Sequence, residues 1–597
     1  MCGIIGYVGD REASEVLVKG LESLEYRGYD SSGIAVHTGE EILVEKRAGR
    51  LARLTDALRE RPLRGRIGIG HTRWATHGAA TDLNAHPFLS RSGAFAVVHN
   101  GILTNYTALA RELRARGIAL LSDTDSEVIA HLLELFFDGD ALAAVSRTVR
   151  VLEGSFALAI LAKEDKEALY GVRKDSPLIV GAGEEESVLC SDISGIPDFC
   201  DRYVALGEGR IVRVTRAGVT AYDLEGGEVP LVWCEREEGA APCDKTGDSY
   251  MISEIRETER ALRATYDAFP HEEVRRILRG GFERFAVLGC GSAYHAGLVF
   301  EAAMREWLGV AVETHVASEF LTRRPICDEK TLFVVVSQSG ETADTLQAVK
   351  RAKAHGAKVL SVCNVKDSSL VRLADACVIT KCGTERAVAA TKSYSAQVLS
   401  LLLICIEYAE ISERLEKTKI ESLQAEVAAL ADKARVVVGR EGEAQRIADA
   451  LSSATSVYYM GRGADYFAAK EGSLKLKEVS YIFSEAYPSG ELKHGTLALM
   501  EEGVYACFVA TDPRLAEKNA ASLSEVRCRG ASTVAILSES IREKIPADLV
   551  LTVPDGDPVC SPVLTAIYMQ LIAYYAARRR GRDADRPRNL AKSVTVE

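Results

Sequence analysis

A pattern that occurs twice in the second half of the sequence constrains the fold more than any other feature. The stretch FAVLGCGSAYHAG begins at Phe285, and VYYMGRGADYFAA begins 172 positions later at Val457, with two glycines and a tyrosine aligned. TLFVVVS and GAKVLSVC follow the first copy, and VYACFVAT and GASTVAIL follow the second at nearly the same distances. Strands that alternate with helices of ten or more residues are typical of parallel α/β domains. We therefore predict two copies of one doubly wound α/β domain.

The sequence up to about residue 236 has a different pattern. Short β-type runs such as GIIGYVG, GIAVHT and SFALAILA are separated by turns. Two helical stretches interrupt them, Glu12–Tyr26 and Ser122–Phe137, and Ser122 to Asp125 are the predicted N-cap candidates of the second. Many strands with few helices predict a layered α+β domain. The polar stretch from Arg236 to Ser249, rich in Gly, Pro and Asp, is predicted to be a linker.

The composition limits the classes of function. The net charge is −12 and no strongly basic domain stands out, which argues against a nucleic-acid partner. The 14 cysteines are scattered without a CxxC pair, which favours reduced thiols over a disulfide scaffold or a zinc ribbon. We find no signal-peptide pattern, and the most apolar stretch, Val398 to Cys405, is far shorter than the ~20 residues that span a bilayer. We expect a soluble cytoplasmic protein without a membrane partner.

The stretch SQSGET, Ser337 to Thr342, lies between a buried strand pattern and a helical pattern. Hydroxyls and backbone amides between a strand end and a helix N-terminus form an anion site. A simple N-cap needs one hydroxyl, so three hydroxyls together with Gln338 and Gly340 favour a phosphate. A second turn of this kind, GCGS at Gly289–Ser292, lacks the third spaced glycine of a dinucleotide fingerprint, so no nicotinamide cofactor is predicted.

Three residue types that suit sugar chemistry follow in the same half. Lys475 and Glu478 share a helix face at i, i+3, for which a surface ion pair is the simpler interpretation. His494 lies in the glycine-flanked stretch GELKHG, and the chain ends PRNLAKSVTVE with Lys592 among apolar neighbours. Lys, Glu and His near a phosphate site would serve ring opening and proton transfer on a sugar phosphate.

The sequence begins MCGIIGYVGD. If Met1 is removed, Cys2 carries both a thiol nucleophile and an α-amine with a pKa near ~8 that can act as its base. The alternative is a small buried residue that starts a strand. Further along, Asn100 and Gly101 place a side-chain amide beside a flexible backbone amide, which suits an oxyanion hole.

Two other polar features of this half have chemical potential. Arg73 can hold a carboxylate through a bidentate pair. Four histidines lie close together in the sequence, but their spacing matches no common zinc pattern, so no metal is predicted. They are His71, His77, His86 and His99.

These motifs together resemble, essentially from end to end, the isomerising glutamine–fructose-6-phosphate aminotransferase family of bacterial type. The amino half is similar to its N-terminal-nucleophile glutaminase in CGI, LEYRGYDSSG, HTRWATHG, NAHP, HNG and SDTDSEVIAH. The carboxyl half is similar to its sugar-isomerase (SIS) region in SQSGET, ATKSY, LKLKE, GELKHG and PRNLAKSVTVE. The resemblance implies an αββα glutaminase domain at 2–236, a linker and connecting helix at 237–274, SIS domains at 275–414 and 447–587, and a catalytic tail at 588–597.

The resemblance also implies the reaction. Glutamine and fructose 6-phosphate would give glucosamine 6-phosphate and glutamate, the first step of amino-sugar synthesis, with ammonia channelled between the halves. The enzyme would need no cofactor and would be a homodimer whose sugar site is shared between subunits.

Roles for individual residues are carried over by the same resemblance. Cys2 would be the nucleophile, Asn100 and Gly101 the oxyanion hole, Arg27 and Gly28 the walls of its pocket, and Trp74 the channel gate. The glutamine would be held by Arg73, Thr76, His77 and Asp125. In the SIS region Lys592 would form the sugar imine, His494 of the neighbouring subunit would assist ring opening, and Glu478 would move the C1–C2 proton with Lys475 nearby. The sugar phosphate would be held by Ser292, Ser337, Gln338, Ser339, Thr342, Val388 and Ala591.

Four positions depart from the family pattern. Ala293 and Ala390 stand where Ser is common, Thr496 replaces a Pro, and SEIRETER (Ser253 to Arg260) lacks the usual ending KEIxEQP. None of them removes a catalytic group. Because an imine-forming amine must be partly neutral near pH 7, we expect the surroundings of Lys592 to disfavour its charged form, and we expect the tail to be docked through its apolar residues.

Competing functions lack their own signatures. A phosphoribosyl-transferring amidotransferase needs a strand that ends in paired acidic residues, and an asparagine-synthetase-like enzyme needs an SGGxDS loop; neither pattern occurs. A regulatory protein that binds sugar phosphate without catalysis is the third alternative, and Cys2, Glu478 and Lys592 argue against it.

Overall fold

The computed structural model describes residues 2–75, 77–235 and 249–594. These residues form two compact units, and the division between them falls within 236–248. The first unit covers the strand-rich half of the sequence, and the second covers the two repeats. Of the predicted linker, only Ser249 is among the described residues, where it precedes a helix.

The first unit is built from short strands and five helices among its described residues. Its strands are β1 (Gly3–Val8), β2 (Ser31–His37), β3 (Ile42–Ala48), β4 (Ile67–Arg73), β5 (Phe88–Leu89), β6 (Phe95–Leu103), β7 (Gly154–Ala162), β8 (Ala168–Lys174), β9 (Ile179–Ala182), β10 (Ser187–Cys190), β11 (Arg202–Ala205), β12 (Ile211–Thr215), β13 (Gly218–Tyr222), β14 (Glu228–Val229) and β15 (Cys234–Glu235). Its helices are α1 (Ala13–Leu24), α2 (Leu51–Glu60), α3 (Tyr106–Ala115), α4 (Glu127–Phe136) and α5 (Ala141–Val151).

These elements form four layers. One antiparallel sheet has the order β15-β11-β9-β10-β1-β4-β2-β3, and the other has the order β14-β13-β12-β8-β7-β6-β5. Apolar side chains such as Ile4 and Val98 fill the space between the two sheets. Helices α1 and α2 cover the outer face of the first sheet, and α3, α4 and α5 cover that of the second. The predicted αββα fold is confirmed.

The local prediction for this unit was incomplete in two respects. Helices α2, α3 and α5 were missed because they are only 10 or 11 residues long and bury a narrow stripe, such as Leu109 and Leu113 in α3. The predicted N-cap of α4 within Ser122 to Asp125 is also wrong. The N-cap residue is Ser126, and its side chain makes no capping hydrogen bond.

The second unit alternates strands with longer helices. Its strands are β16 (Arg284–Gly289), β17 (Val312–Val316), β18 (Thr331–Ser337), β19 (Lys358–Cys363), β20 (Ala376–Ile379), β21 (Ser456–Gly461), β22 (Phe483–Pro488), β23 (Val504–Ala510), β24 (Ser532–Ser538) and β25 (Leu549–Val553). Its helices are α6 (Tyr250–Arg256), α7 (Thr258–Asp267), α8 (His271–Leu278), α9 (Ser292–Leu308), α10 (Ala317–Thr322), α11 (Ala343–Ala354), α12 (Ser369–Leu373), α13 (Lys392–Ser412), α14 (Lys417–Ala428), α15 (Leu430–Gly439), α16 (Glu441–Leu451), α17 (Ala464–Ser480), α18 (Ala516–Arg527) and α19 (Pro562–Arg579).

The two repeats fold in the same way. The parallel sheets have the orders β17-β16-β18-β19-β20 and β22-β21-β23-β24-β25, so each strand of the first copy has a counterpart in the second. The glycine before α9 has φ 56° and ψ −126°, and its counterpart before α17 has φ 58° and ψ −132°. This left-handed conformation favours glycine at Gly291 and Gly463. The predicted pair of doubly wound domains is confirmed.

Helix α13 is the long apolar helix of the second unit. Its 21 residues have a mean hydropathy of 1.4 over the best window, so by length and composition alone it is the one helix among the described residues that qualifies to cross a membrane. However, 78% of that window is buried inside the protein, where Tyr394, Leu402 and Ile406 belong to the main core. A central helix of a soluble domain has these properties.

Candidate active sites

Cys2 directly precedes β1 and lies beside the end of β4. Because β1 pairs with β4 with Gly3 opposite Thr72, the backbone of Trp74 reaches the thiol, and its N–H donates to Cys2 Sγ at 3.2 Å. Burial raises the pKa of the Cys2 thiol, while the Trp74 amide and the Arg73 guanidinium act to lower it. A thiolate formed here therefore has a hydrogen-bond donor and a nearby cation.

Asn100 connects Cys2 to a buried histidine. Its side-chain amide donates to the backbone carbonyl of Cys2 at 2.9 Å, and its Oδ1 lies 3.0 Å from Nε2 of His71. Burial lowers the pKa of His71 to about 3, so the imidazole is neutral. Nε2 also faces the carbonyl of His99, and since both neighbours are acceptors, this nitrogen carries the proton. His71 thus fixes the orientation of the Asn100 amide.

Sequence reasoning missed this role of His71 and considered it only as a metal ligand. His71 and Asn100 are 29 positions apart and lie on β4 and β6, which belong to different sheets. One feature of the sequence could have indicated this contact. HTRW and HNG each continue a strand pattern, and strands of two packed sheets can bring such motifs together.

The surroundings of position 101 require a glycine there. Its φ is +140°, and a Cβ at this position would lie 2.0 Å from the carbonyl oxygen of Ser155 on the adjacent strand β7. Real Cβ atoms do not approach a backbone oxygen so closely. Glycine therefore allows the chain to bring the Asn100 side chain and the following amide to the same place.

The residues predicted to hold glutamine differ in burial. The Arg73 guanidinium is buried and donates to the carbonyls of His77, Gly78 and Ala79, at 3.2 Å for Gly78 and 3.3 Å for Ala79. It therefore folds the loop after β4 around itself, and a carboxylate contact remains a prediction. The side chain of His77 is exposed, and Thr76 lies outside the described residues.

Asp125 and Arg27 are both buried, and each contacts a different partner. Asp125 accepts the N–H of Leu103 at 2.9 Å, which ties the start of α4 to the end of β6. Arg27 forms a 2.6 Å ion pair with Asp192, and the Gly28 N–H donates to the carbonyl of Glu25. These contacts hold Arg27, Gly28 and Asp125 in place, and their roles toward Cys2 and glutamine stay predictions.

The predicted phosphate loop joins β18 to α11 in the second unit. Ser337 Oγ accepts the N–H of Gly340 at 3.0 Å and lies 3.5 Å from the Thr342 hydroxyl, and Ser339 Oγ accepts the N–H of Glu341 at 3.2 Å. The Gln338 carbonyl accepts from the N–H of Asn364. The hydroxyls therefore order a tight turn at a helix N-terminus, where an anion is favourable.

Lys592 contacts a fully buried carboxylate. Its Nζ is ion-paired with Glu385, which also accepts from the backbone N–H and hydroxyl of both Thr391 and Ser393. Burial alone would raise the pKa of Glu385, but the lysine and these donors hold it below its usual range. The pair places the Lys592 side chain against a carboxylate. That its surroundings disfavour the charged form stays a prediction. The tail is ordered there, with the Lys592 side chain 5% exposed.

The predicted Lys475–Glu478 pair exists, at 2.6 Å, but Lys475 is buried and not on the surface. Its Nζ also lies 3.4 Å from Glu471 one turn earlier on α17. Burial opposes the charge of Lys475, but the two carboxylates raise its pKa. Glu471 in turn accepts from Ser292 and pairs with His295, both at 2.8 Å on α9 of the first repeat. Ser292, predicted to contact the sugar phosphate, is thus bonded to the second repeat.

The remaining predicted residues lie apart from this cluster. His494 ends a 3₁₀ turn, Ser489–His494, and is exposed; within the described part of the chain it makes no hydrogen bond or ion pair with the other predicted groups. The Val388 N–H donates to the carbonyl of Asp585 at 3.0 Å, so that the segment after Glu385 is joined to the tail that leads to Ala591 and Lys592.

In the second repeat, the loop that corresponds to SQSGET binds an aspartate side chain of the same domain. Asp465, at the position of Ala293, accepts the backbone N–H and the hydroxyl of Thr511 at 2.8 Å and 2.6 Å. In the second repeat a carboxylate of the protein therefore accepts from the amide and the hydroxyl of this turn, whereas in the first repeat the hydroxyls of the loop accept from its own amides.

Comparison with known proteins agrees with this architecture. A model of the glutamine amidotransferase domain matches residues 71–197, and a model of the SIS domain matches 283–406 and 450–578. The chain is 41% identical over 608 residues to glutamine–fructose-6-phosphate aminotransferase [isomerizing] of Caldanaerobacter subterraneus and 43% identical over 616 residues to that of Symbiobacterium thermophilum, with 100% of each chain covered. The chain belongs to this family.

Members of the isomerizing glutamine–fructose-6-phosphate aminotransferase family are enzymes, and the chain carries out glutamine-dependent amination and isomerisation of fructose 6-phosphate. A solved C-terminal domain of glucosamine-fructose-6-phosphate aminotransferase from Francisella tularensis is 31% identical, covers 58% of this chain and 100% of its own, and superposes with a TM-score of 0.56. The amidotransferase domain precedes the two SIS domains, as the sequence predicted.

Proposed function

We propose that the reaction is divided between two groups of residues, one around Cys2 and one around Lys592. Cys2 Sγ attacks the amide carbon of glutamine, the α-amine of Cys2 takes the thiol proton and passes it to the departing ammonia, and water then releases glutamate. The observation that carries this assignment is the Asn100 amide, which bonds the Cys2 backbone and is itself held by His71. Asn100 and the Gly101 amide stabilise the tetrahedral oxyanion.

In the second unit Lys592 forms an imine at C2 of the open-chain sugar, with the phosphate on the Ser337–Thr342 loop. Ammonia displaces the lysine amine from C2, and Glu478 transfers a proton from C1 to C2, with Lys475 balancing its charge at 2.6 Å. His494 of the neighbouring subunit assists ring opening, so the working unit is at least a homodimer. Trp74 gates the passage of ammonia.

The proposed domain limits are those of the sequence prediction, 2–236, 275–414 and 447–587, with a tail at 588–597. A cytoplasmic location is supported by the described cysteines, which are all free thiols. Neither a nucleic acid nor a membrane is needed for this reaction.

Cys2→Ala tests the nucleophile. We expect it to abolish glutamate release and glutamine-dependent synthesis while fructose 6-phosphate still isomerises, because the sugar site has its own acid–base groups. Unchanged glutamine hydrolysis would refute the assignment. Intact mass spectrometry tests the base, since full activity in protein that retains Met1 would contradict a role for the α-amine.

Mixed dimers test the shared sugar site. Lys592→Ala and His494→Ala chains should each be inactive in synthesis and should regain activity after subunit exchange, because one site of each mixed dimer has both residues. No recovery after exchange verified by native mass spectrometry would refute the sharing.

A further inference from the structure

One buried carboxylate close to Lys592 has no role in the scheme above. Glu254 lies on α6, the first described helix after residues 236–248, and has no exposed surface. Asp585, from the tail that leads to Lys592, accepts from the Ser249 hydroxyl at 2.6 Å and from the Met251 N–H at 2.8 Å. The helix that carries Glu254 is therefore fastened to the segment that carries Lys592.

The two oxygens of Glu254 differ. Oε1 accepts the backbone N–H groups of Arg386 and Ala387, in the segment that begins with Glu385. Oε2 is buried and has no hydrogen-bond partner among the described residues. A buried carboxylate oxygen without a donor is costly unless it carries a proton or receives one during function.

The charged groups that act on Glu254 are those of the sugar site. Burial and the nearby Glu385 charge raise the pKa of Glu254, while Lys592 and the two backbone amides act in the opposite direction. The other ion pair that adjoins Glu385 joins Lys392 of α13 to Glu257 at 2.6 Å. A carboxyl group whose pKa is raised toward neutrality is suited to exchange protons at physiological pH.

Lys592 needs such a partner. Its Nζ is ion-paired with Glu385, and an amine in an ion pair must release a proton before its lone pair can attack a carbonyl carbon. Glu385 is a poor proton acceptor, because four donors besides Lys592 stabilise its ionised form. Glu254 forms no ion pair with Lys592 among the described residues, but its charge acts on the same lysine, so it is the acceptor available once Lys592 leaves Glu385 for the sugar.

We propose that Glu254 shuttles the proton of Lys592 during imine formation. This inference rests on the imine role of Lys592 proposed above. One N–H bond of the ammonium breaks and an O–H bond forms at Glu254 Oε2, which leaves an electron pair for the bond from nitrogen to C2. A second nitrogen proton passes to the former carbonyl oxygen. Glu254 then returns its proton to this hydroxyl, the C2–O bond breaks, and water leaves as the C=N bond forms.

The atoms and charges of this step balance without any other reactant. Ammonium and ketone become a protonated imine and water, the net charge does not change, and Glu385 pairs with the iminium as it did with the ammonium. Glu254 ends as it began, after it has taken a proton from the Lys592 nitrogen and given one to the departing hydroxyl.

Glu254→Gln is the decisive variant. The glutamine keeps an oxygen for the two backbone amides but cannot take up a proton at the other position. We expect borohydride trapping of labelled fructose 6-phosphate on Lys592 to slow by about 100-fold or more, with KM for fructose 6-phosphate and glutamine hydrolysis unchanged. The pH profile of trapping should lose one titrating group. Glu407→Gln, a change at a carboxylate that is also buried in the second unit but pairs with His271 and Arg275, is the matched control and should trap at the wild-type rate.

The outcomes separate this inference from the proposed function. If the wild-type enzyme is labelled at a different lysine, the imine role fails and the shuttle fails with it. If the wild type is labelled at Lys592 and Glu254→Gln traps equally fast with the same pH profile, only the shuttle is refuted. If Glu254→Gln does not fold, Glu254→Ala decides: restoration of trapping by added formate, but not by chloride, supports the shuttle, and no restoration overturns it.

Discussion

Replacement of Gly101 by alanine tests whether the backbone beside the proposed oxyanion donor, Asn100, is as constrained as the structure indicates. The new methyl group would meet the Ser155 carbonyl at 2.0 Å, and the carbonyl carbon of the same residue at 2.7 Å. That carbonyl belongs to the β6–β7 ladder, so neither strand can move without breaking paired hydrogen bonds. Gly139, in the turn between α4 and α5, is the matched control, with φ +108° and no atom within 4 Å of its Cβ position.

Both substitutions carry a cost in backbone strain, but only Gly101→Ala also carries a steric cost. Alanine in a sparsely populated region of φ and ψ costs about 1–3 kcal/mol at either site. Overpacking adds about 1–3 kcal/mol at Gly101 alone. We therefore expect Gly101→Ala to lower the free energy of unfolding of the first unit by about 2 kcal/mol more than Gly139→Ala. Such a difference changes the unfolding equilibrium constant about 30-fold.

The tryptophans make the assay specific to the first unit. The chain has three, Trp74, Trp233 and Trp307, and only Trp307 lies in the second unit. In a Trp307→Phe background, fluorescence during urea unfolding reports on the first unit. Glutamate release should fall by about 10²–10³ in Gly101→Ala, because the oxyanion donors are displaced, and should be unchanged in Gly139→Ala.

Two results would refute this reasoning. Equal unfolding free energies for the two variants, within about 0.5 kcal/mol, the scatter expected of independent sites, would show that the strand yields to the methyl group. Normal glutamine hydrolysis in a clearly destabilised Gly101→Ala would show that the Gly101 amide does not stabilise the oxyanion.

Three further predictions concern other parts of the chain. Burial acts to raise the pKa of Glu127, but hydrogen bonds hold it at about 2 instead of 4.5. The resulting stability, on the order of 3 kcal/mol, is present above pH 4.5 and is lost as the pH falls through about 2. In urea titrations at different pH values, Glu127→Gln should therefore lack this pH dependence of the unfolding free energy. Gly340→Ala should raise KM for fructose 6-phosphate but not for glutamine, since its Cβ would lie 2.1 Å from the Ser368 hydroxyl, whereas Gly309→Ala, with a similar positive φ and free space, should change neither constant. His71→Ala should slow glutamate release by up to about tenfold, the kinetic equivalent of one orienting hydrogen bond; an unchanged rate would mean that the oxyanion amide orients itself.

The sequence predicted best what depends on local pattern. The repeat at Phe285 and Val457 was visible because aligned glycines and buried strands recur at one spacing, and both copies have the predicted strands. Short amphipathic helices such as Leu51–Glu60 were missed, because a narrow apolar stripe in ten residues resembles an irregular segment.

The contacts that tune the sites were beyond prediction from the residues alone. Glu385 reaches Lys592 across 207 positions, and Glu471 reaches Ser292 across 179. No periodicity encodes such pairs, since they arise from how whole domains pack. The motifs therefore supplied candidate residues for the sugar site, but not the finding that Lys592 contacts a buried carboxylate or that Lys475 is buried.

The carboxylate of Asp465 that fills the turn of the second repeat has a consequence for how the two copies have specialised. In our proposal the turn of the first copy binds the phosphate, while the second copy has filled its own turn and offers Glu471 on α17 to Ser292 of the first. If the proposed roles hold, a single copy of this domain would have either the phosphate turn or the Lys475 and Glu478 groups, but not both. Selection on the duplicated domain would thus act on the pair, and a change that reopens the second turn would add a binding site without adding chemistry.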